Sequence, residues 1–321
     1  STPSNSSAAS DVYKRQLLVL PGQRDRFLGL ACVITLTLSK AFVDFSTSGL
    51  ENPLTHLLLA LLLMAYSKAP GDPRRVLVVG LLTALGMLNR LDTVLLFGPT
   101  LLWTVIRSGH SKSWWLAALS LVPLLGWELF ALFYYGSWMP NTALAKLNTG
   151  LIQPSEIWRE GGLYLYNSLR VDPITLVATA VGILSVVAVK AWEEVPLIIG
   201  SVLYLLYVVW IGGDFMSGRF LTAPLFLSLG ALLLANWPKE GLQVARWRLA
   251  LLPLLPAVLG LSSPYNPVRA WGAQRADQAS RVWVHGRSIT DERANYYGST
   301  GLLEALRQGR GKPNQTGLVQ V

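Results

Sequence analysis

The sequence contains few charged residues and a single cysteine. Only 14% of its 321 residues are charged, whereas 52% are hydrophobic. An ordinary soluble domain carries about 25% charged residues, so this composition argues against a soluble globular fold and excludes a disordered or collagen-like chain. Cys32 lies within an apolar run and has no second cysteine to pair with, which excludes a disulfide scaffold and disulfide redox chemistry.

Motifs for nucleotide and metal chemistry are also missing. The sequence has no Gly-Lys-Ser/Thr phosphate loop and no dinucleotide fingerprint, so nothing in it supports ATP-driven or nucleotide-sugar chemistry in a cytosolic domain. Its three histidines, His56, His110 and His285, lack the spacing of zinc ligands. The sequence therefore identifies no cofactor and leaves only a divalent metal ion open.

Long apolar runs dominate the chain instead. The mean hydropathy is +0.41, and the 12 Trp and 11 Tyr residues are typical of interfacial aromatics at the ends of membrane spans. About 20 helical residues cross the hydrocarbon core of a bilayer. We therefore predict an all-α, polytopic membrane helix bundle with about nine spans, at 27–42, 52–67, 76–88, 93–106, 114–135, 173–189, 195–211, 220–237 and 249–261.

The chain divides into three parts on this interpretation. Residues 1–16 are small and polar, look foreign to the rest of the chain, and are predicted to be non-native or disordered. Residues 17–262 form the transmembrane helical domain. Residues 263–321 are expected to be the start of a truncated extracytoplasmic domain.

The loops between the runs alternate in charge. One set carries most of the Lys and Arg residues behind the net charge of +9, and short basic loops lie on the cytoplasmic side of a membrane. These cations are spread between spans rather than gathered in one patch, which argues against a nucleic-acid partner. The other set, 44–51, 89–92, 136–172 and 212–219, is predicted to lie outside the cytoplasm together with the C-terminal region.

Ionisable residues in the outer loops are the main functional signal, because charges beside a membrane are costly and usually face a cavity, a partner charge or a ligand. Three glycines in the 212–219 loop allow a tight turn that places Asp214 next to Arg219. Arg219 could then bind a phosphate bidentately while Asp214 orients it. A tight turn with an internal ion pair is the alternative.

Two further outer segments have local patterns. The turn Arg90-Leu91-Asp92 interrupts an apolar stretch that is too long for one span, so it marks the outward turn of a helical hairpin. Its polar residues are as consistent with a simple turn as with part of a functional site. Residues 155–169 place apolar side chains at helical spacing and predict a helix lying in the outer interface, although Gly161 and Gly162 weaken it.

Several motifs occur together in the outer loops. They are residues 46–51, 88–92, 135–146, 213–220 and 291–293. In this order they resemble bacterial multi-spanning GT-C glycosyltransferases, in particular those similar to mycobacterial terminal arabinofuranosyltransferases. Two features depart from that pattern: the usual Arg-Pro-Asp at the hairpin turn is Arg90-Leu91-Asp92 here, and a first helix with its acidic loop is missing.

The resemblance implies an integral glycosyltransferase of the bacterial cytoplasmic membrane. Its partners would be a polyprenyl-phosphate-linked sugar, possibly carrying arabinofuranose, an envelope glycan acceptor outside the cytoplasm, and membrane lipid. Inverting transfer needs a carboxylate that takes the hydroxyl proton and cations that stabilise the departing lipid phosphate. The catalytic candidates are Asp214, which we prefer, Asp44 and Glu51. The substrate-binding candidates are Arg219, Arg90, Asp92, Asn141 and Lys146.

Other functions remain open on the sequence. A transporter or a flippase for lipid-linked glycans would need charged or helix-breaking residues within spans, and only Pro123, Gly126 and Glu128 suggest this. A non-catalytic scaffold would not require Arg and Asp on one face. Because the acidic first loop is missing, we also expect the 321-residue chain alone to be inactive.

The loop asymmetry predicts the topology. We expect the basic segments 68–75 and 239–248 to face the cytoplasm and segment 136–172 to face outward. Cysteine accessibility labelling of intact cells should therefore modify a cysteine placed at Ser155 and not one at Ser111. Labelling at Ser111 alone would reverse the orientation.

Overall fold

The computed structural model of the chain describes residues 23–67, 72–139, 153–235 and 246–262, and a few residues beyond, namely 282–284, 287–291, 293, 306 and 309. The predicted N-terminal stretch 1–16 lies outside the described residues, as does most of the predicted domain at 263–321. The described part is mainly helical.

Twelve α-helices form the described bundle. Their bounds are α1 Gln23–Leu38, α2 Lys40–Ser46, α3 Asn52–Tyr66, α4 Pro73–Asn89, α5 Val94–Ser108, α6 Ser111–Ser120, α7 Val122–Tyr135, α8 Pro154–Val171, α9 Pro173–Ala188, α10 Val195–Trp210, α11 Thr222–Leu234 and α12 Arg246–Ser262. Short 3-10 turns at Leu91–Thr93 and Arg219–Leu221 precede α5 and α11.

A small β-hairpin follows the last helix. Strands β1 (Val282–Val284) and β2 (Arg287–Ile289) pair antiparallel, with Val282 opposite Ile289. The all-α prediction is therefore confirmed for the described bundle up to residue 262. It did not include the β-hairpin that follows.

In the described residues, all nine predicted apolar runs are mainly helical, but two of them are bent into two α-helices. Run 27–42 breaks at Ser39, where α1 and α2 meet at 78°. The Ser39 backbone is extended, and its hydroxyl accepts a hydrogen bond from the backbone N–H of Phe42 at 3.1 Å. As a result Asp44, predicted in a loop, lies inside α2. Run 114–135 bends by 42° at Leu121, since Pro123 at the start of α7 has no N–H to continue the preceding helix.

Helix length limits what can cross a membrane in the described part of the chain. None of these helices is individually both long and apolar enough to do so. Three bent pairs reach that length and composition together: α1 with α2, α6 with α7, and α8 with α9, which meet at 105°.

Helix α11 lies at the centre of the bundle and packs against α3, α9 and α10. It buries Leu225, Leu227, Leu229 and Leu232. Small hydroxyl side chains are buried at other helix contacts: Thr35 on α1 donates to the carbonyl of Pro253 on α12 at 2.6 Å. Such close contacts through small polar residues are typical of helix packing in membranes.

Helix α8 confirms the helix predicted at 155–169, and its two glycines have different environments. A Cβ on Gly161 would lie 2.2 Å from the carbonyl oxygen of Val209, so this glycine lets α8 approach α10 closely. A Cβ on Gly162 would meet nothing within 4 Å. Gly161 is therefore required by packing and Gly162 is not.

The adjacent glycines give a matched pair of variants. We expect Gly161→Ala to destabilise the fold by about 1–3 kcal/mol, because α8 must move away from α10. Gly162→Ala should instead stabilise it by up to about 1 kcal/mol through helix propensity. Chemical denaturation of both variants measures the difference, and equal effects would contradict the assigned packing role.

Candidate functional site

The charged loops that the sequence predicts to lie outside the cytoplasm converge at one end of the bundle. Glu51 precedes α3, Arg90 ends α4, and Arg219 opens the 3-10 turn before α11. Each side chain therefore starts from a helix terminus, and the termini are brought together by the packing of α3 against α4 and α11.

Glu51 holds two arginines at once. Arg219 donates from Nη2 to both Glu51 carboxylate oxygens at 2.9 Å, and from Nη1 to Asp214 at 3.2 Å. Arg90 pairs with Glu51 through Nη1 and donates from Nε to Asp92 at 3.0 Å. We call these five residues the Glu51 network; it alternates in sign and carries three carboxylates against two guanidiniums.

The network is largely shielded from solvent. Burial alone would raise the pKa of Glu51, but the backbone hydrogen bond at Glu51 and the charges of Arg90 and Arg219 together lower it. The stabilisation from Glu51 is therefore present above the ordinary glutamate pKa and is lost as the pH falls through the lowered value. The guanidinium of Arg90 also stacks on the Phe220 ring at 4.5 Å.

The glycine-rich loop 212–219 is fixed by close packing. Gly213 and Gly218 have positive φ angles of 73° and 80°. A Cβ at either position would lie 2.6 Å from Tyr164 or Ala41 respectively. The buried Tyr164 hydroxyl accepts from the backbone N–H of Phe220 at 3.2 Å and donates to the carbonyl of Met216 at 3.1 Å. The predicted tight turn is thus present and rigidly positioned.

A second charged group lies on the other side of this loop. Lys40 on α2 pairs with Asp44 one turn later and with Asp291 at 2.7 Å. Arg293 pairs with Asp44 at 2.6 Å. We call Lys40, Asp44, Asp291 and Arg293 the Lys40 quartet. Two of its members come from the bundle and two from the segment after β2.

Backbone hydrogen bonds attach that segment to the glycine-rich loop. The N–H of Thr290 donates to the carbonyl of Phe215 at 2.7 Å, and the N–H of Ser217 donates to the carbonyl of Thr290 at 3.0 Å. Thr290 pairs with Met216 as an isolated parallel bridge. We call the described residues 287–291 and 293 the strap.

Asp172 connects two helix breaks. Its carboxylate accepts from the backbone N–H of Ala41 at 2.8 Å, and from the hydroxyls of Thr175 at 2.6 Å and Ser39 at 3.3 Å. Burial raises the pKa of Asp172, and these hydrogen bonds with the nearby charge of Lys40 oppose the rise. Asp172 therefore places α2, and with it Lys40 and Asp44, relative to the junction of α8 and α9.

A small cavity of about 10 Å³ lies between Lys40, Asp44, Asp172 and the glycine-rich loop, with room for about one water molecule. The Ser168 side chain borders it, and its hydroxyl has no hydrogen-bond partner among the described residues. The full lining is Lys40, Ala41, Asp44, Ser168, Val171, Asp172, Ser217 and Gly218.

The site residues predicted from the sequence divide between the Glu51 network and the Lys40 quartet, and two of them lie outside the described residues. Asp214, Glu51, Arg219, Arg90 and Asp92 meet in the Glu51 network, whereas Asp44 lies in the Lys40 quartet at the cavity. The Asp214 side chain is only 2% exposed. Asn141 and Lys146 lie outside the described residues. Within the described ranges, acidic, histidine and cysteine side chains form no group that could hold a metal ion.

Three residues at the cavity were not predicted from the sequence. Lys40 could have been found, since a lysine four residues before Asp44 is an ion-pair spacing on a helix. Asp172 and Ser168 gave no such signal, because their partners lie far away in the chain.

At the opposite end of the bundle, one pair of charged side chains is more exposed to solvent than those of the Glu51 network. There Arg107 pairs with Glu193 at 2.6 Å, and both side chains are substantially exposed. Neighbouring Glu194 is mostly buried, and this burial raises its pKa to about 7.

The comparisons with known proteins give one curated relative. The chain is 28% identical over 330 aligned positions to a protein named terminal beta-(1->2)-arabinofuranosyltransferase from Mycobacterium tuberculosis (strain ATCC 25618 / H37Rv). The alignment covers 89% of this chain and 50% of the relative, so the chain spans about half the length of that protein. No protein-family model and no solved structure matches the sequence. The chain is thus similar to a mycobacterial glycosyltransferase.

The buried pair of Arg219 with Glu51 and the exposed pair of Arg107 with Glu193 allow a test of the Glu51 network. Arg219→Gln should destabilise the fold by about 3 kcal/mol or more, because it leaves Glu51 and Asp214 short of a buried cation. The matched control Arg107→Gln removes an exposed pair and should cost less than about 1 kcal/mol. Chemical denaturation distinguishes them, and similar losses in both variants would refute a supporting role for the network.

Proposed function

We propose that this chain belongs to an integral membrane glycosyltransferase of the bacterial cytoplasmic membrane. It would move a sugar, with arabinofuranose as the candidate, from a polyprenyl-phosphate donor to an envelope glycan acceptor outside the cytoplasm. The observation that carries the proposal is a cavity bordered by a carboxylate and an ammonium group, Asp44 and Lys40, at the end of an apolar helix bundle. The similarity to the arabinofuranosyltransferase supports it.

The surface of the bundle supports a membrane location. Large apolar side chains point outward on several helices, and Phe133 and Trp115 are 93% and 79% exposed. Exposed apolar surface of this extent marks contact with lipid or protein. Several hydroxyl side chains, by contrast, are buried between helices, as with Thr35 and Ser201.

Among the three predicted catalytic carboxylates, Asp44 fits the role of general base better than Asp214. All three carboxylates are paired with cations, but only Asp44 borders the cavity. One of its two partners, Arg293, is mostly exposed, whereas the arginine partners of Glu51 and Asp214 are largely buried. We therefore assign the base to Asp44 in place of our preference from sequence.

The proposed reaction is a single displacement. The acceptor hydroxyl oxygen attacks the anomeric carbon and forms the new glycosidic bond, while the bond from that carbon to the phosphate oxygen breaks. Asp44 takes the hydroxyl proton, and the polyprenyl phosphate leaves with the bonding electron pair. Cations near the departing phosphate stabilise its charge.

The arginines have a supporting position in this scheme. Most of the guanidinium donors of Arg219 and Arg90 are already bonded to carboxylates. Their predicted contact with the donor phosphate stays a prediction. We further propose that, with Glu51 and Asp92, they hold the loop 212–219 beside the cavity.

The assignment of Asp44 predicts a loss of turnover. In membranes expressing the complete gene that encodes this sequence, Asp44→Asn should lower the transfer of labelled sugar by about 10²–10⁴-fold, because the general base is lost. The measurement uses a polyprenyl-phosphate-linked arabinofuranose and an arabinan acceptor.

Asp72→Asn is the matched control. Asp72 is exposed before α4, where it caps the helix by accepting from the N–H of Arg74, and asparagine can do the same. It should keep full activity. Unchanged transfer in Asp44→Asn would refute the assignment of the base. Movement of the intact lipid-linked sugar across the bilayer, without transfer to the acceptor, would instead favour the flippase alternative.

A further inference from the structure

We propose that Lys40 binds the phosphate of the substrate, and that the Asp291 carboxylate occupies this position until a phosphate-bearing ligand displaces it. The inference deepens the proposed function and rests on it for the carrier of the phosphate, a polyprenyl lipid. Lys40 in the bundle is then the residue that binds the phosphate. Asp291 on the strap is the internal group that takes the place of the phosphate when no ligand is bound.

The two carboxylate partners of Lys40 differ in how they are attached. Asp44 lies one turn away on the same helix and stays beside Lys40 whatever the strap does. Asp291 reaches Lys40 at 2.7 Å from the strap, which the two backbone hydrogen bonds of Thr290 join to the loop 212–219. Displacement of Asp291 therefore leaves Lys40 paired with Asp44. This avoids the large cost of an unpaired buried charge.

The cavity beside Lys40 offers a second donor. Ser168 is 1% exposed, and its hydroxyl has no hydrogen-bond partner within the residues that the structure describes. Buried polar atoms are nearly always hydrogen-bonded, so such an atom needs an explanation. Lys40 and Ser168 both line this cavity, and an ammonium and a hydroxyl group are suitable donors for phosphate oxygens.

A phosphate on Lys40 needs the strap to move. The cavity of about 10 Å³ has room for about one water molecule, and its lining contains no strap residue. A phosphate group must therefore take the position beside Lys40 that Asp291 occupies at 2.7 Å. The strap also brings Arg293, which pairs with Asp44 at 2.6 Å and is mostly exposed. Movement of the strap removes Asp291 from Lys40 and Arg293 from Asp44 in one step. Asp44 then keeps only its pair with Lys40, and its second oxygen becomes available to the acceptor hydroxyl when the phosphate arrives.

The Glu51 network is a less suitable position for the phosphate. Arg219 is held by Glu51 and Asp214, both of which belong to the bundle and its fixed loop. A phosphate at Arg219 would have to separate buried partners that have no other place to go. At Lys40, by contrast, the carboxylate that a phosphate would replace is Asp291, which lies on the strap and not in the bundle.

The test measures binding separately from sugar transfer. The protein is reconstituted in nanodiscs of neutral lipid, and undecaprenyl phosphate is titrated with tryptophan fluorescence as the signal. We expect Asp291→Asn to bind about tenfold more tightly, because a competing charged acceptor is removed. Lys40→Gln should bind at least about tenfold more weakly, Lys40→Arg should recover most of the affinity, and Asp72→Asn should match the unchanged protein.

Two further titrations identify the source of the phosphate. Inorganic phosphate that binds with the same dependence on Lys40 and Asp291 supports the site and identifies a free phosphate as sufficient. Phosphatidylglycerol that binds as tightly as undecaprenyl phosphate overturns the proposal, since the effect would then be general attraction of anionic lipid.

The decisive outcome is the affinity of Asp291→Asn, whose fold is checked by thermal unfolding. Unchanged or weaker binding overturns the proposal, even where Lys40→Gln fails to fold. If binding responds as expected but no sugar is transferred, the phosphate site stands and the proposed function fails. If transfer persists in a folded Lys40→Gln variant, the phosphate site fails and the proposed function stands.

Discussion

The ion pairing of Glu51 with Arg90 and Arg219 is the interaction on which the candidate site depends. Glu51 precedes one helix, Arg90 ends the next, and Arg219 leads into the central helix α11. A single carboxylate thus joins three helix termini that are distant in the chain. With most of each side chain removed from solvent, the attraction is screened little by salt. This pairing adds to the packing of Tyr164 and Ala41 against the loop between α10 and α11.

The second organising contact is that of Asp172 with the break between α1 and α2. A buried carboxylate is costly unless it is hydrogen-bonded, and Asp172 accepts from a backbone N–H and two hydroxyls. The same side chain lies where α8 turns into α9. One residue therefore sets the direction of four helices, and the cavity lies at their meeting point.

Much of the helical framework could be predicted from the sequence, because apolar runs of this length are visible without any knowledge of tertiary contacts. The turns at Arg90 and at 212–219 were predicted correctly for a similar reason, since glycines and charges interrupt apolar stretches. The break at Ser39 was missed, because a serine in an apolar run gives no signal until Asp172 approaches it. The near-complete burial of Asp214 could not be predicted either, since burial depends on neighbours that sequence spacing does not reveal.

The contact between Asp172 and α2 has a consequence for how the protein is assembled. Ala41 and Asp172 are 131 residues apart in the chain, so the acceptor that fixes the α1–α2 bend is synthesised long after the bend itself. Until then this segment lacks the Asp172 contact and depends on local ones, such as the cap of Ser39 and the pair of Lys40 with Asp44. The chain between Ala41 and Asp172 must pay its loop-closure entropy before this contact is gained. The arrangement described for the site is therefore complete only when the junction of α8 and α9 lies against α2.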